Sequence, residues 1–332
     1  MIKHLLHSMV ALGLAGVAAP GTAQTDAARY PNRAITLIVP FAPGGSTDLL
    51  ARLMKKYAVK HLGQDLIILN KPGAGATIGW NDLVVAAPDG YTLGAVTSSA
   101  AIRPVYGDTK HNYITALEPI AWVSTIPQVL AVRADSPWKS IDDLVRYARE
   151  NPGKFTYGHS GLGNSSHVAM ESLALKAKMK VTQIPYNSGA QVLTALLGGQ
   201  IDATIATPVE FQSQLGPGGK LRVLTVFADK RFDAPNFRDA PTAAEKGWPV
   251  ESLSWNGIAA PKNLPAAEKK HLVEGFRAIA AEPEFVDSAN KAGLAISYAG
   301  PERFLEKWKS DQESFLKQAT ETGVLAMVKS QK

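Results

Sequence analysis

The chain has no cysteine among its 332 residues, which excludes disulfides, thiolate metal sites and a cysteine nucleophile. It has no concentrated charge either. The 35 Lys and Arg stand against 29 Asp and Glu for a net charge of +6, and the signs are interspersed. A basic track for nucleic acid is therefore missing. The seven histidines are scattered without HExxH or comparable spacing, so metal chemistry has no ligand set. Neither a Walker loop nor GxGxxG occurs, and no cofactor is expected. Internal repeats, low-complexity tracts and coiled-coil heptads are absent as well.

One hydrophobic run stands out, at the N-terminus, where MIKHLLHSMVALGLAGVAAPGTAQ reads as a secretory signal peptide with cleavage after Ala23. The apolar part is shorter than the roughly 20 residues of a membrane span, and polar sequence follows it at once. The mature chain, residues 24–332, is expected to be exported and soluble. Its length suits two domains. With 45% hydrophobic residues it can hold itself together by its core without disulfides.

β-rich runs alternate with helix-period runs. Strands are expected at Ile35–Phe41, Leu66–Leu69, Thr92–Thr97, Gln128–Arg133, Phe155–Gly158, Val181–Tyr186, Ala203–Ala206, Arg222–Ala228 and Trp255–Ala259. Between the first two lies an amphipathic helix with Leu49, Leu50, Leu53, Met54 and Tyr57 on one face and Gly63 as its stop. That rhythm implies an α/β protein with a mostly parallel sheet covered on both faces. From Ala266 three helical patterns, Ala266–Ala281, Pro283–Ala292 and Pro301–Thr322, form a tail packed back on one domain.

Ligands of open parallel sheets bind at strand C-termini, where helix N-termini present unpaired N–H groups. The turns there are rich in glycine, hydroxyls and amides. FAPGGSTD supplies Phe41, Ala42, Gly45, Ser46, Thr47 and Asp48, a nest suited to a carboxylate or phosphate, with Asp48 equally explained as a cap. KPGAGAT contributes Ala76 and Thr77, and TSSA contributes Ser98. GHSGLGNSSH offers His159, Ser160, Asn164, Ser165 and Ser166, with Tyr186, Asn187 and Thr207 at two further strand ends.

Ser160 between glycines invites a test as a nucleophile. A nucleophile elbow needs Gly-x-Ser-x-Gly, and Leu162 stands where the second glycine belongs. The later histidines, His167 at a helix start and His271 beside two lysines, make unconvincing bases. An exported serine esterase using Ser160 stays as the alternative, and a binding loop is favoured.

Several stretches occur together in a fixed order: Tyr30-Pro31-x-Arg33, Phe41 to Asp48, Leu62-Gly63-Gln64, Asn70 to Gly75, Ala87 to Leu93, Pro185-Tyr186 and Leu196 to Asp202. In these the chain resembles the Bug receptor family, the TctC-like extracytoplasmic solute receptors of tripartite tricarboxylate transporters. The resemblance implies a periplasmic binding protein of Venus-flytrap fold, with 24–127 and 257–332 as one domain and 128–256 as the other. The chain would cross between them near Gln128–Val132 and Trp255–Ala259. It also implies a periplasmic, non-catalytic monomer that passes a small carboxylate to membrane permease subunits. The carboxylate would be held by Phe41–Asp48 and Gly73–Thr77, partly through water, and from the other domain by Gly158–His167, Tyr186–Gly189 and Ala206–Pro208.

One position departs from that pattern. Many relatives carry a basic residue after Pro-Tyr, followed by glycine, and this chain has Asn187-Ser188-Gly189. The expected ligand is an aliphatic or aromatic dicarboxylate, terephthalate-like among others, with Phe41, Tyr186 and Trp255 or Trp80 available to stack on it. A sensing receptor for a signalling partner reads the same way in the sequence.

Overall fold

The computed structural model describes residues 30–107, 109–186 and 188–330, so the leader expected at 1–23 and Asn187 lie outside the described residues. The chain runs β1 (Ile35–Val39), α1 (Ser46–Leu62), β2 (Leu66–Asn70), α2 (Thr77–Val84), β3 (Thr92–Thr97), α3 (Ser99–Ile102), α4 (Tyr113–Ala116) and the long β4 (Leu117–Arg133). There follow α5 (Ile141–Glu150), β5 (Thr156–His159), α6 (Ser165–Lys176), β6 (Thr182–Pro185), α7 (Gly189–Leu197), β7 (Ala203–Ala206), α8 (Pro208–Phe211) and β8 (Leu221–Phe227). The last series is β9 (Leu253–Pro261), α9 (Ala266–Ala280), α10 (Pro283–Lys291), β10 (Ile296–Ala299), α11 (Pro301–Glu321) and α12 (Val324–Ser330). No helix of the described residues is long and apolar enough to cross a membrane.

Strand order is β2-β1-β3-β9-β4-β7-β5-β6, with β8 and β10 also on β4. Although the sequence has no repeat, its wiring repeats. In each half a central strand (β1 or β5) pairs in parallel with its two successors, and each triplet is flanked by an antiparallel strand, β9 beside β3 and β4 beside β7. Parallel pairing thus holds within the triplets, while every partner of β4 is antiparallel. Strand ITLIV of β1 is apolar on nearly every residue because helices cover both faces.

β4 joins the halves. It pairs with β9 from Leu117 to Pro127 and with β8 from Gln128 to Arg133. The sequence signal caught only its second part, since Pro119 and Pro127 interrupt the first. Pro119 sits at a register shift and Pro127 at the end of the β9 ladder, two places where a missing N–H is tolerated. The chain returns between β8 and β9, where Gln128 N–H donates to Ser252 O and Ser252 N–H to Phe227 O, each 2.9 Å. The first residue of β9, Leu253, still packs against a second-half cluster, while the strand pairs with β3 and with β4 up to Pro127, so the return lies at the start of β9, just before the Trp255–Ala259 stretch.

The first half is packed around Trp80, Tyr113, Trp255, Phe304 and Trp308, and the second around Leu130, Phe155, Tyr157, Met170 and Phe227. A third cluster draws on both. Ile102 and Tyr106 meet Val168 of α6 through Phe315, Ala319, Val324 and Val328. The C-terminal tail expected on one domain therefore touches both halves. α11, with 21 residues, is about 30 Å long and can reach across. β10, a four-residue edge strand, and α12 also went unread in the sequence.

Candidate functional site

The turn after β1 is shaped by Asp48. Its carboxylate, 2% exposed, accepts from Gly44 N–H, Arg52 Nε and Asn70 Nδ2, each at 2.9 Å. Asn70 Nδ2 also donates to Phe41 O at 3.0 Å. Burial pushes the Asp48 carboxyl up, but the bonds from Arg52, Gly44 and Asn70 outweigh it and hold the group below the ordinary carboxylate range. Asp48 is thus spent on folding the loop back on itself. The helix it belongs to keeps an uncapped start, since Gly45 at the N-cap offers no side-chain acceptor. The first amides of α1 and its dipole are left for an anion. Thr47 Oγ1 points elsewhere, donating to Asn256 Oδ1 at 2.7 Å, while Asn256 Nδ2 donates to Ser124 Oγ at 3.2 Å. Ser46 is half-buried and Ala42 exposed.

The turn after β2 is strained. Gly73, Ala74, Gly75 and Ala76 all have positive φ, at 130°, 48°, 62° and 79°, and the left-handed region costs an alanine about 1–2 kcal/mol. Two alanines held there need outside support. Thr77 Oγ1 supplies some by donating to Ala74 O at 2.9 Å, and Ala76 N–H donates to Gly73 O at 3.0 Å. The start of α2 is again uncapped by any side chain. Arg103, unnoticed in the sequence, lies against this turn, its Cζ 3.5 Å from where a Gly75 Cβ would stand. Ser98 closes the group at the end of β3, buried, with its N–H on Trp255 O at 3.3 Å.

In the second half the loop after β5 rests on two stacked histidines. His159 and His167 have centroids 4.4 Å apart and planes 6° from parallel. Gly161 N–H donates to His159 Nδ1 at 3.4 Å and Gly163 N–H to His167 Nδ1 at 3.0 Å. His159 Nε2 then carries the proton that goes to Gln183 Oε1, 2.6 Å away. Both rings must be neutral to accept at Nδ1. Burial lowers both, and for His167, with the neighbouring His159 adding to it, the pKa falls to about 3. His159 is therefore a loop support buried at 1% exposure, not a group facing a ligand.

Asn164 caps α6, its Oδ1 accepting from His167 N–H and Ser166 Oγ, each at 2.9 Å, while its Nδ2 donates to Ser160 Oγ at 3.1 Å. Ser160 is exposed and bonded to no histidine or carboxylate among the described residues, so nothing activates it as a nucleophile. Ser165 Oγ accepts from Gln128 Nε2 at 3.0 Å, and Gln128 Oε1 accepts from Ser252 Oγ at 2.6 Å. Gln128 thereby couples the crossing strand to this loop. Tyr186 N–H donates to His159 O at 2.9 Å, and its ring covers Gly158. Thr207, buried, donates from Oγ1 to Glu210 Oε1 at 3.1 Å.

The predicted residues thus occupy six strand ends, three per half. Across them, a Cβ at Gly163 would stand 2.6 Å from the Tyr106 ring, so the first half touches the second-half loop directly. A cavity of about 170 Å³ lies at the seam, lined by Ser98, Ser165, Glu251, Ser252, Lys307 and Asp311 among others. Only Ser98 and Ser165 of the predicted set face it. Two aromatic expectations fail. Trp80 and Trp255 are fully buried, donating to Ala95 O at 3.1 Å and to Asp311 Oδ2 at 2.6 Å, so neither can stack on a ligand. Phe41 is half-buried edge-on against Trp80. Sequence reading missed Gln128, Arg103, Tyr106 and Glu210. Of these only Glu210 had a local signal, Thr207-Pro208-Val209-Glu210, the spacing of a capping box.

Residues 50–317 match the family model described as "Tripartite tricarboxylate transporter family receptor". The UPF0065 protein of the tcbD-tcbE intergenic region of Pseudomonas sp. strain P51 is 34% identical over 313 residues, 92% of either chain. A Rhodopseudomonas palustris protein solved with adipate is similar at 29% identity and TM-score 0.81, over 89% of this chain and 98% of that one. MatC of the same organism, solved with bound malate, is similar at 26% identity and TM-score 0.73, over 86% of this chain and all of that one.

Proposed function

Since the chain belongs to the tripartite tricarboxylate transporter receptor family, we propose that it is a periplasmic solute-binding protein that captures a small organic carboxylate between two hinged domains and delivers it to membrane permease subunits. Receptors of this family bind solutes and are not enzymes, in keeping with a Ser160 that has no base. The observation that carries the reading is the pair of uncapped helix starts. Neither start is capped by a side chain; the turn braced by buried Asp48 leaves the first amides of α1 open, whereas at α2 Thr77 N–H already donates to Ala74 O within the turn kept at positive φ. Hydrogen bonds from such amides to an ionised carboxylate contribute about 1.5–3 kcal/mol each.

The adipate and malate of the two neighbours support a small carboxylate as ligand, and a dicarboxylate is the natural first class to screen. Closure would turn on β4 and the 250–253 return, with the protein working as a monomer after loss of its leader. Thermal-shift screening of the mature protein against aliphatic and aromatic carboxylates tests this, together with small-angle scattering of any hit. A ligand should raise the melting temperature as its concentration exceeds Kd and shrink the radius of gyration. If no carboxylate does either, the receptor reading fails.

A further inference from the structure

The second-half wall carries no lysine or arginine in its strand-end loops, Gly158–His167, Tyr186–Gly189 and Ala206–Phe211, and its two histidines are held neutral. It does carry Glu210. This side chain is solvent-accessible and has no ion-pair partner among the described residues. Together with Ser160, Gly189, Val192 and Ala206 it lines a pocket of about 20 Å³, room for one small polar group. One oxygen is held and the other lies close against Gly189. Oε1 accepts from Thr207 Oγ1 at 3.1 Å, and Oε2 lies 2.8 Å from where a Cβ on Gly189 would stand. Only a glycine at the first position of α7 lets the carboxylate lie there undisplaced. Desolvation by the surrounding protein raises the Glu210 carboxyl above the ordinary carboxylate range, and the Thr207 bonds offset this only in part.

The charges of the two walls are consequently opposite. The uncapped start of α1, with its positive dipole end, stands on the first, and a carboxylate without an ion-pair partner among the described residues stands on the second. A ligand with a carboxylate at each end would bring like charges together at Glu210, whereas an ammonium would be attracted and could donate to the free lone pairs of Oε2.

We propose that Glu210 is a specificity-determining residue, and that the ligand is an aminocarboxylate whose ammonium group faces Glu210 and Ser160 while its carboxylate occupies the first-half turns. The proposal rests on the receptor reading and departs from the dicarboxylate expectation only at the second end.

Matched pairs test it by calorimetry at pH 7.5. Each dicarboxylate from the thermal-shift screen is compared with the analogue in which one carboxylate is replaced by a protonated aminomethyl group. The set includes succinate with 4-aminobutanoate, adipate with 6-aminohexanoate, and terephthalate with 4-(aminomethyl)benzoate. The expected result is that the amino analogue of at least one pair binds at least tenfold more tightly than its diacid. Glu210→Gln, which keeps the shape and the Thr207 bond, should erase that preference, and Glu210→Ala should do the same, the melting temperature of each variant showing that it is folded. A diacid bound more tightly by the native protein, whether unaffected or weakened by Glu210→Gln, would overturn the proposal and leave the receptor reading standing. If no carboxylate or aminocarboxylate binds at all, the receptor reading itself fails and this one with it.

Discussion

His167 makes stability depend on pH in a way that one substitution can isolate. Its ring is 0% exposed, stacked on His159, with Nδ1 accepting from Gly163 N–H and Nε2 buried without a hydrogen-bond partner. A proton at Nδ1 would face a donor and place charge beside a second buried ring. The folded-state pKa, about 3 against 6.5 for the free side chain, lies below the unfolded value, so the unfolded chain takes the proton first. Stability is complete above pH 6.5 and falls as pH drops from there toward 3, by about 1.36 kcal/mol per pH unit. By pH 5 the loss from this group is about 2 kcal/mol. His159, also lowered, adds in the same sense, while Glu171, raised by burial, acts in the opposite one.

His167→Asn separates the contributions, since an amide oxygen can take the Gly163 bond but does not titrate. Urea unfolding followed by circular dichroism at pH 7.5 and pH 5 gives the loss for each protein. The native protein should lose about 2 kcal/mol more than the variant between the two values, whatever the variant's starting stability. Equal losses would refute the neutral, buried assignment of the pair and with it the account of what holds the glycine loop.

Three other substitutions probe the site from different sides. Ser160→Ala should weaken ligand binding by about 0.5–1.5 kcal/mol, the value of one neutral hydrogen bond, read by calorimetry, and should change no ester hydrolysis because Ser160 has no base. Asp48→Ala removes the acceptor shared by Gly44, Arg52 and Asn70. It should lower unfolding free energy by about 1–3 kcal/mol and also abolish carboxylate binding, whereas an effect on stability alone would show that the turn forms without it. Gly163→Val places a branched side chain at φ 73° against the Tyr106 ring. Small-angle scattering should show a more open molecule, and an unchanged radius of gyration with unchanged ligand affinity would mean that this contact does not set closure.

Much of the fold could be read locally. β3 and β7 match their expected limits, and α1 stops at Gly63, where φ of 77° suits a residue without a side chain. The glycine- and hydroxyl-rich turns proposed for the site could be placed at strand ends from the sequence. Individual roles could not. Asp48, His159 and Thr47 lie in the loops proposed for the site, yet their polar atoms are taken up by partners as distant in sequence as Asn70, Gln183 and Asn256. Trp80 and Trp255 failed as stacking groups for the same reason, since burial depends on what the rest of the chain lays over them.

By itself the sequence determined the alternation of strand and helix, the absence of thiol chemistry, the lack of a nucleophile-elbow glycine after Ser160 and the family. These follow from residue types and near-neighbour spacing, which act over a turn or a strand. The tertiary structure decided that β4 serves both halves despite its prolines, that α11 and α12 join them, and that Glu210 stands beside Ser160. Each of these depends on residues tens to hundreds of positions apart meeting across a folded interior, where hydrogen bonds and burial are settled by geometry rather than by order along the chain.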